Sequence, residues 1–295
     1  MKVLKSLLFL MLSTSAVYAQ SFEKLSKLQQ PEFEVYSSKN FEQPAAAIGQ
    51  RLANAIRYHE QLLNYKPAIT LLVLSAADWS TYTSFPVYGM PHYTNEKTLI
   101  VAIEDNPFWQ SFMPALDQLP KELADQVRAV YTKEGRLTMQ PFFDLLAIHE
   151  LGHAFHIQGG LTMQRMWMGE LFCNIFLHTY VAEKEPESVP ALTVFPNMIV
   201  SAGAKEYRYT RLQDIEDRYE EIAKQHAKNY GWFQCRWHAG EIYNSGGKAV
   251  TVKLWKALKE QKEKLSDDAI ATFLEQKTHK SLADFIRNWD SETKF

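Results

Sequence analysis

The hydrophobic pattern is densest from Pro141 to Ile157, which reads PFFDLLAIHELGHAFHI. Phe142, Phe143, Leu145, Leu146, Ile148, Leu151, Phe155 and Ile157 leave no broad polar face, so the pattern predicts a helix buried nearly all round. A second apolar helix is predicted from near Gln164 to about Glu183, bearing Trp167, Met168, Leu171, Phe172 and Ile175. Ahead of these, Phe33 and Val35 alternate with polar residues, and Ile48, Leu52, Ile56 and Leu63 recur at helical spacing within Ala45 to Tyr65. Ile69 to Leu74 and Thr98 to Ile103 are short β-branched runs, and thus strands. Residues 106 to 140 read as irregular helix broken by Pro107, Pro114 and Pro120.

Beyond the second apolar helix the chain reads as almost wholly helical. Residues 204 to 228 carry interspersed charges around a stripe of Tyr207, Leu212, Ile215, Tyr219 and Ile222. Leu254, Trp255 and Leu258, then Leu282, Phe285 and Ile286, mark packing helices at the C-terminal end. No period repeats. The expected class is α+β: an N-terminal lobe of residues 20–158 with a small mixed β-sheet and the buried helix, and a mostly α-helical lobe of residues 159–295.

Composition narrows the partners. With 295 residues, 46% of them hydrophobic, the chain can bury a large core, and a formal charge of −2 with mixed signs gives no reason to expect nucleic acid or an anionic membrane. Residues 1–19 pair Lys2 and Lys5 with an apolar run from Leu7 to Leu12 and end in Val17 and Ala19. That is the layout of a signal peptide cleaved after Ala19, so the protein is expected to be exported, periplasmic or secreted, without stable membrane insertion. Cys173 and Cys235 could form a disulfide in such a compartment or remain buried thiols.

The chemistry lies in the most apolar helix. His149, Glu150, His153 and His156 fall within about a third of its circumference, where ionisable groups need a partner. The HELGH spacing sets His149 and His153 one turn apart, so both imidazoles can face one Zn²⁺ ion, with Glu150 beside it to take a proton from water. His156 stands about 10.5 Å along the axis from His149, too far to share that ion, and is expected in the cleft wall or in packing. Glu170, a carboxylate among large apolar residues on the second helix, is the expected third ligand, leaving water as the fourth.

HELGH followed by Glu170 resembles the gluzincin branch of zinc metallopeptidases, which includes thermolysin-like and M1-type enzymes. The resemblance implies a zincin-like fold, a peptide or protein substrate, and catalysis by Glu150. It also implies that an edge strand at Tyr93 to Ala102 pairs with substrate, that Asn174 holds a zinc histidine by its second nitrogen, and that a Tyr or His further on steadies the oxyanion. Tyr230 is the first choice for that donor, with His238, Tyr243 and Tyr207 as alternatives, and His92 could reach the cleft. The glycine-rich, glutamate-bearing segment of M1 aminopeptidases is not found before HELGH. The contrasting reading is an exported, non-catalytic binding protein with a structural or vestigial metal site.

Overall fold

The computed structural model describes residues 22–94 and 97–291, so the expected signal peptide lies outside the described residues. The N-terminal part is built on five strands, β1 (Ser26–Leu28), β2 (Glu34–Ser37), β3 (Thr70–Leu74), β4 (His92–Tyr93) and β5 (Thr98–Ala102), in the order β1-β2-β3-β5-β4. β2, β3 and β5 run parallel, while β1 and β4 pair antiparallel at the two edges. The sheet is therefore mixed. β5 is buried throughout and β3 is buried after Thr70, which is why both read as continuous apolar runs and not as alternating ones.

α1 (Glu42–Leu63) is the crossover from β2 to β3 and ends at Asn64 in the left-handed conformation, with φ of 52°. α2 (Ala76–Tyr82) follows β3. The proline-broken region resolves into α3 (Pro107–Gln110), α4 (Lys121–Tyr131) and a two-stranded ribbon of β6 (Thr132–Lys133) with β7 (Arg136–Leu137). These lead the chain to α5 (Gln140–Gln158), which is enclosed by α1, α4, the β4–β5 edge and two later helices, α6 (Met166–Lys184) and α7 (Val189–Ala202). An enclosed helix has no polar face to show. Its sequence has none beyond the histidine cluster.

The remaining chain is helical: α8 (Leu212–Gln225), α9 (Tyr230–Gly246), α10 (Lys248–Glu260), α11 (Asp267–Lys277) and α12 (Lys280–Asn288). The helix expected over residues 204–228 is shorter than its charge pattern implied. Gly203, at φ of 88°, closes α7, and the Asp214 carboxylate accepts the backbone N–H groups of Thr210 and Arg211, so α8 begins only at Leu212. Arg218 then breaks the helical geometry with φ of −131° immediately before Tyr219. One hydrophobic cluster runs from Leu25 to Trp289 and joins the sheet to the helices. Among the described residues no helix is long and apolar enough to cross a membrane.

α5 and α6 cross at Gly152. A Cβ built there would meet Sγ of Cys173 at 3.0 Å and Cα of Cys173 at 3.1 Å, so hydrogen at this position is what allows the two backbones to come so close. Gly152→Ala is expected to force the helices apart and destabilise the protein by about 1–3 kcal/mol in a denaturant titration, with weaker metal uptake by the same sample.

Candidate metal centre and cleft

The crossing brings the chemistry of both helices together. Nε2 of His149 lies 3.3 Å from one carboxylate oxygen of Glu170, and Nε2 of His153 lies 3.6 Å from the other. All three side chains are largely buried, and the Tyr219 hydroxyl donates a 2.6 Å hydrogen bond to Glu170 from the turn after the break in α8. Burial alone would raise the Glu170 carboxyl. Hydrogen bonding and charge from His149, followed by His153 and the Tyr219 hydroxyl, hold it well below the usual carboxylate range.

Burial lowers His153 to about 4, with His149 acting in the same direction and Glu170 opposing. It lowers His156 to about 3, aided by His153. Two imidazoles facing a carboxylate are a donor set that a divalent cation accepts. The two imidazole nitrogens approach the two different oxygens of one carboxylate, at 3.3 and 3.6 Å, so all three side chains converge on one position. His149, His153 and Cys173 also bring ligand atoms within 4.8 Å of one another and could hold a metal ion, so Cys173 borders the same position from the crossing point. Its thiol is pushed well above the ordinary range by burial and then by the charges of Glu170 and Glu150, and a thiol is a ligand only once deprotonated. Cys173 and Cys235 are both free and buried, so the disulfide alternative is not the arrangement adopted.

Glu150 lies beside the cluster on the wall of a cavity of about 270 Å³. Burial raises its carboxyl well above the usual range and Glu170 adds to this, against the positive charge of Arg236 and a hydrogen bond with the Tyr93 backbone. β4 is thus an edge strand next to Glu150, and its His92 and Tyr93 line the cavity. His92 does reach the cleft, with its ring held by Thr83 Oγ1 at 2.7 Å and the Met90 carbonyl at 3.0 Å.

The expected oxyanion donors are not brought there. Trp232, Phe233 and Arg236 form the cavity-facing side of α9; Tyr230 and His238 are rotated from Arg236 by about 120° and 200° at 100° per residue. The Tyr230 hydroxyl donates to the Val200 carbonyl at 3.4 Å, and His238 packs against Phe285 and Trp289. Tyr243 donates to Glu183, and Tyr207 packs on Tyr230. Asn174 lines the cavity, but it holds no histidine. Its amide nitrogen donates to the Glu170 carbonyl at 2.9 Å and its oxygen accepts from Arg236 Nε at 3.0 Å, because one further turn of α6 points it toward α9.

Three functional positions escaped the sequence reading. Tyr219 was legible only as a stripe residue and His156 as a wall residue, while nothing distinguished Arg236 from a surface charge. His156 is where the holding role expected of Asn174 is found: its Nε2 lies 3.0 Å from Nδ1 of His153. When Nε2 of His153 binds a cation the ring proton sits on Nδ1, which then donates to neutral His156. The HELGHAFH spacing carried that signal, since i and i+3 are neighbours on a helix. Nδ1 of His149 has no hydrogen-bond partner among the described residues, so packing and the contact of Nε2 with Glu170 orient that ring.

No family profile matches the chain, and no curated protein matches it. The functional reading therefore rests on the site itself. His156→Ala is expected to weaken zinc binding about 10- to 100-fold in a competition titration with a chromogenic chelator, with unchanged circular dichroism.

Proposed function

We propose that the protein is an exported zinc-dependent hydrolase of peptide bonds, gluzincin-like in its site and zincin-like in its fold. The observation that carries this reading is the convergence of the Glu170 carboxylate on the two imidazole nitrogens, one oxygen to each, with Glu150 beside them in an open cavity. His149, His153 and Glu170 would hold the ion. When bound, zinc supplies a Lewis acid that polarises a carbonyl and makes water acidic near neutral pH.

The chain's own groups do the rest. Glu150 takes a proton from the attacking water and delivers it to the leaving amine, a role suited to a carboxyl whose burial and acidic neighbour raise its affinity for protons. Tyr219 keeps Glu170 in place through its hydroxyl, and His156 keeps the His153 ring turned inward. β4 offers its backbone edge to an extended peptide alongside Glu150. Apolar side chains, among them Phe142, Phe143 and Leu146, keep the reacting centre dry.

Glu150→Gln is expected to keep one zinc per chain by elemental analysis while lowering peptide cleavage at least about 100-fold; unchanged turnover would overturn this assignment. A second reading is favoured by one observation, the approach of Cys173 to His149 and His153. A thiolate there, together with Glu170, would close the ion within four protein ligands and make the site structural. Cys173→Ala separates the two: zinc affinity within about threefold of wild type is expected for the hydrolase, whereas a loss of about 100-fold would indicate the closed site.

A further inference from the structure

Arg236 is a guanidinium without an acid. It projects from α9 into the cavity wall, gives Nε to the amide oxygen of Asn174 at 3.0 Å, and lies 4.9 Å over the ring of Phe142. Among the described residues no carboxylate comes within ion-pair distance of it, although Glu150 and Glu170 line the same cavity. Among the described residues no hydrogen bond engages its two terminal nitrogens. Burial lowers it to about 10, against the raising influence of Cys235, Glu170, Glu150 and Tyr131, so it stays charged at neutral pH.

A partly buried cation that lines a cavity with no ion-pair partner among the described residues is costly unless an anion arrives. The rest of the wall identifies what else the anion must carry. Phe112, Phe143, Leu146, Trp232 and Phe233 surround it, a setting for an apolar side chain. The charged side chains lining the cavity are Glu150, Glu170 and Arg236, so among the described residues Arg236 supplies the cationic side chain of the lining.

Resting on the peptidase reading above, we propose that Arg236 is a substrate anchor that grips a carboxylate, so that the protein selects short peptides ending in an apolar residue with a free C-terminus. The planar fork of the guanidinium matches a carboxylate in two parallel hydrogen bonds, and Asn174 fixes the plane of the fork through Nε. A terminal carboxylate and an acidic side chain offer the same group to it. The apolar wall favours the terminal one.

The test uses the zinc-loaded Glu150→Gln protein, which binds without turnover, and three ligands: acetyl-Ala-Phe-Leu with a free C-terminus, the same peptide amidated, and amidated acetyl-Ala-Phe-Glu. Isothermal titration calorimetry is expected to show the free acid binding about 10- to 100-fold tighter than the amide, with the glutamyl amide near the plain amide. Adding Arg236→Met should erase the difference while leaving zinc content unchanged, and Arg236→Lys should restore part of it. Equal binding of acid and amide, or a preference that survives Arg236→Met, would overturn the anchor; a preference for the glutamyl amide would move its ligand to an acidic side chain and overturn the C-terminal selection. Kinetics on the Glu150 enzyme keep the two proposals apart. Cleavage of acid and amide with equal kcat/KM leaves a peptidase without an anchor, whereas an Arg236-dependent preference in binding with no cleavage of any peptide leaves an anion site without a peptidase. A fall in kcat alike for acid and amide in Arg236→Met, at constant KM, would assign the residue to transition-state stabilisation and sink the anchor.

Discussion

Ionisable groups in the middle of an apolar core must find each other, and the architecture follows from that constraint. α5 and α6 are buried along most of their length, and they carry His149, His153, Glu150 and Glu170 on the cavity wall, backed by neighbouring helices and the sheet. Leaving any one of these charged and unpaired would cost several kcal/mol. The arrangement offsets the cost by mutual contact: carboxylate between imidazoles, tyrosine hydroxyl on carboxylate, imidazole on imidazole. On the proposed reading a cation would join this network, which would link the packing of the core to the chemistry of the cleft.

The surrounding fold serves this cluster by direction as much as by burial. The parallel strands β2, β3 and β5 form a buried floor, and β4 alone turns antiparallel at the edge, placing His92 and Tyr93 on the wall near Glu150. Opposite, the break at Arg218 sets Tyr219 against Glu170. α9 adds the aromatic lining and Arg236. Each wall thus contributes a different property: backbone edge, ligand support, apolar volume and positive charge.

How much of this could be read from the chain depended on the distance over which the signal acts. α5, α6, β3 and β5 fall within a few residues of the spans their apolar patterns predict, because enclosure imposes composition locally. The approach of Glu170 to the two histidines was legible for a similar reason: a carboxylate amid Trp167, Leu171 and Phe172 has few places to go. Tyr230 and His238 were misplaced because their role turned on the rotation of α9 about its axis, which is fixed by α6, α7 and α12 and has no local signature. Tyr219 was hidden by the same difficulty compounded with a helix break. His156 shows the opposite error. Its spacing excludes it as a ligand, yet the same spacing permits the hydrogen bond to His153.

Gly152 carries a consequence for how the ion would come and go. Because α5 and α6 touch there almost backbone to backbone, the separation between the histidine pair and the glutamate is set by packing of the chain and not by whatever lies between them. The site would then be formed by packing before an ion arrives, in contrast to small domains that collapse only around their metal. Exchange of the ion becomes a matter of traffic through the cleft mouth, past the exposed side chain of Ile157, with the protein standing throughout.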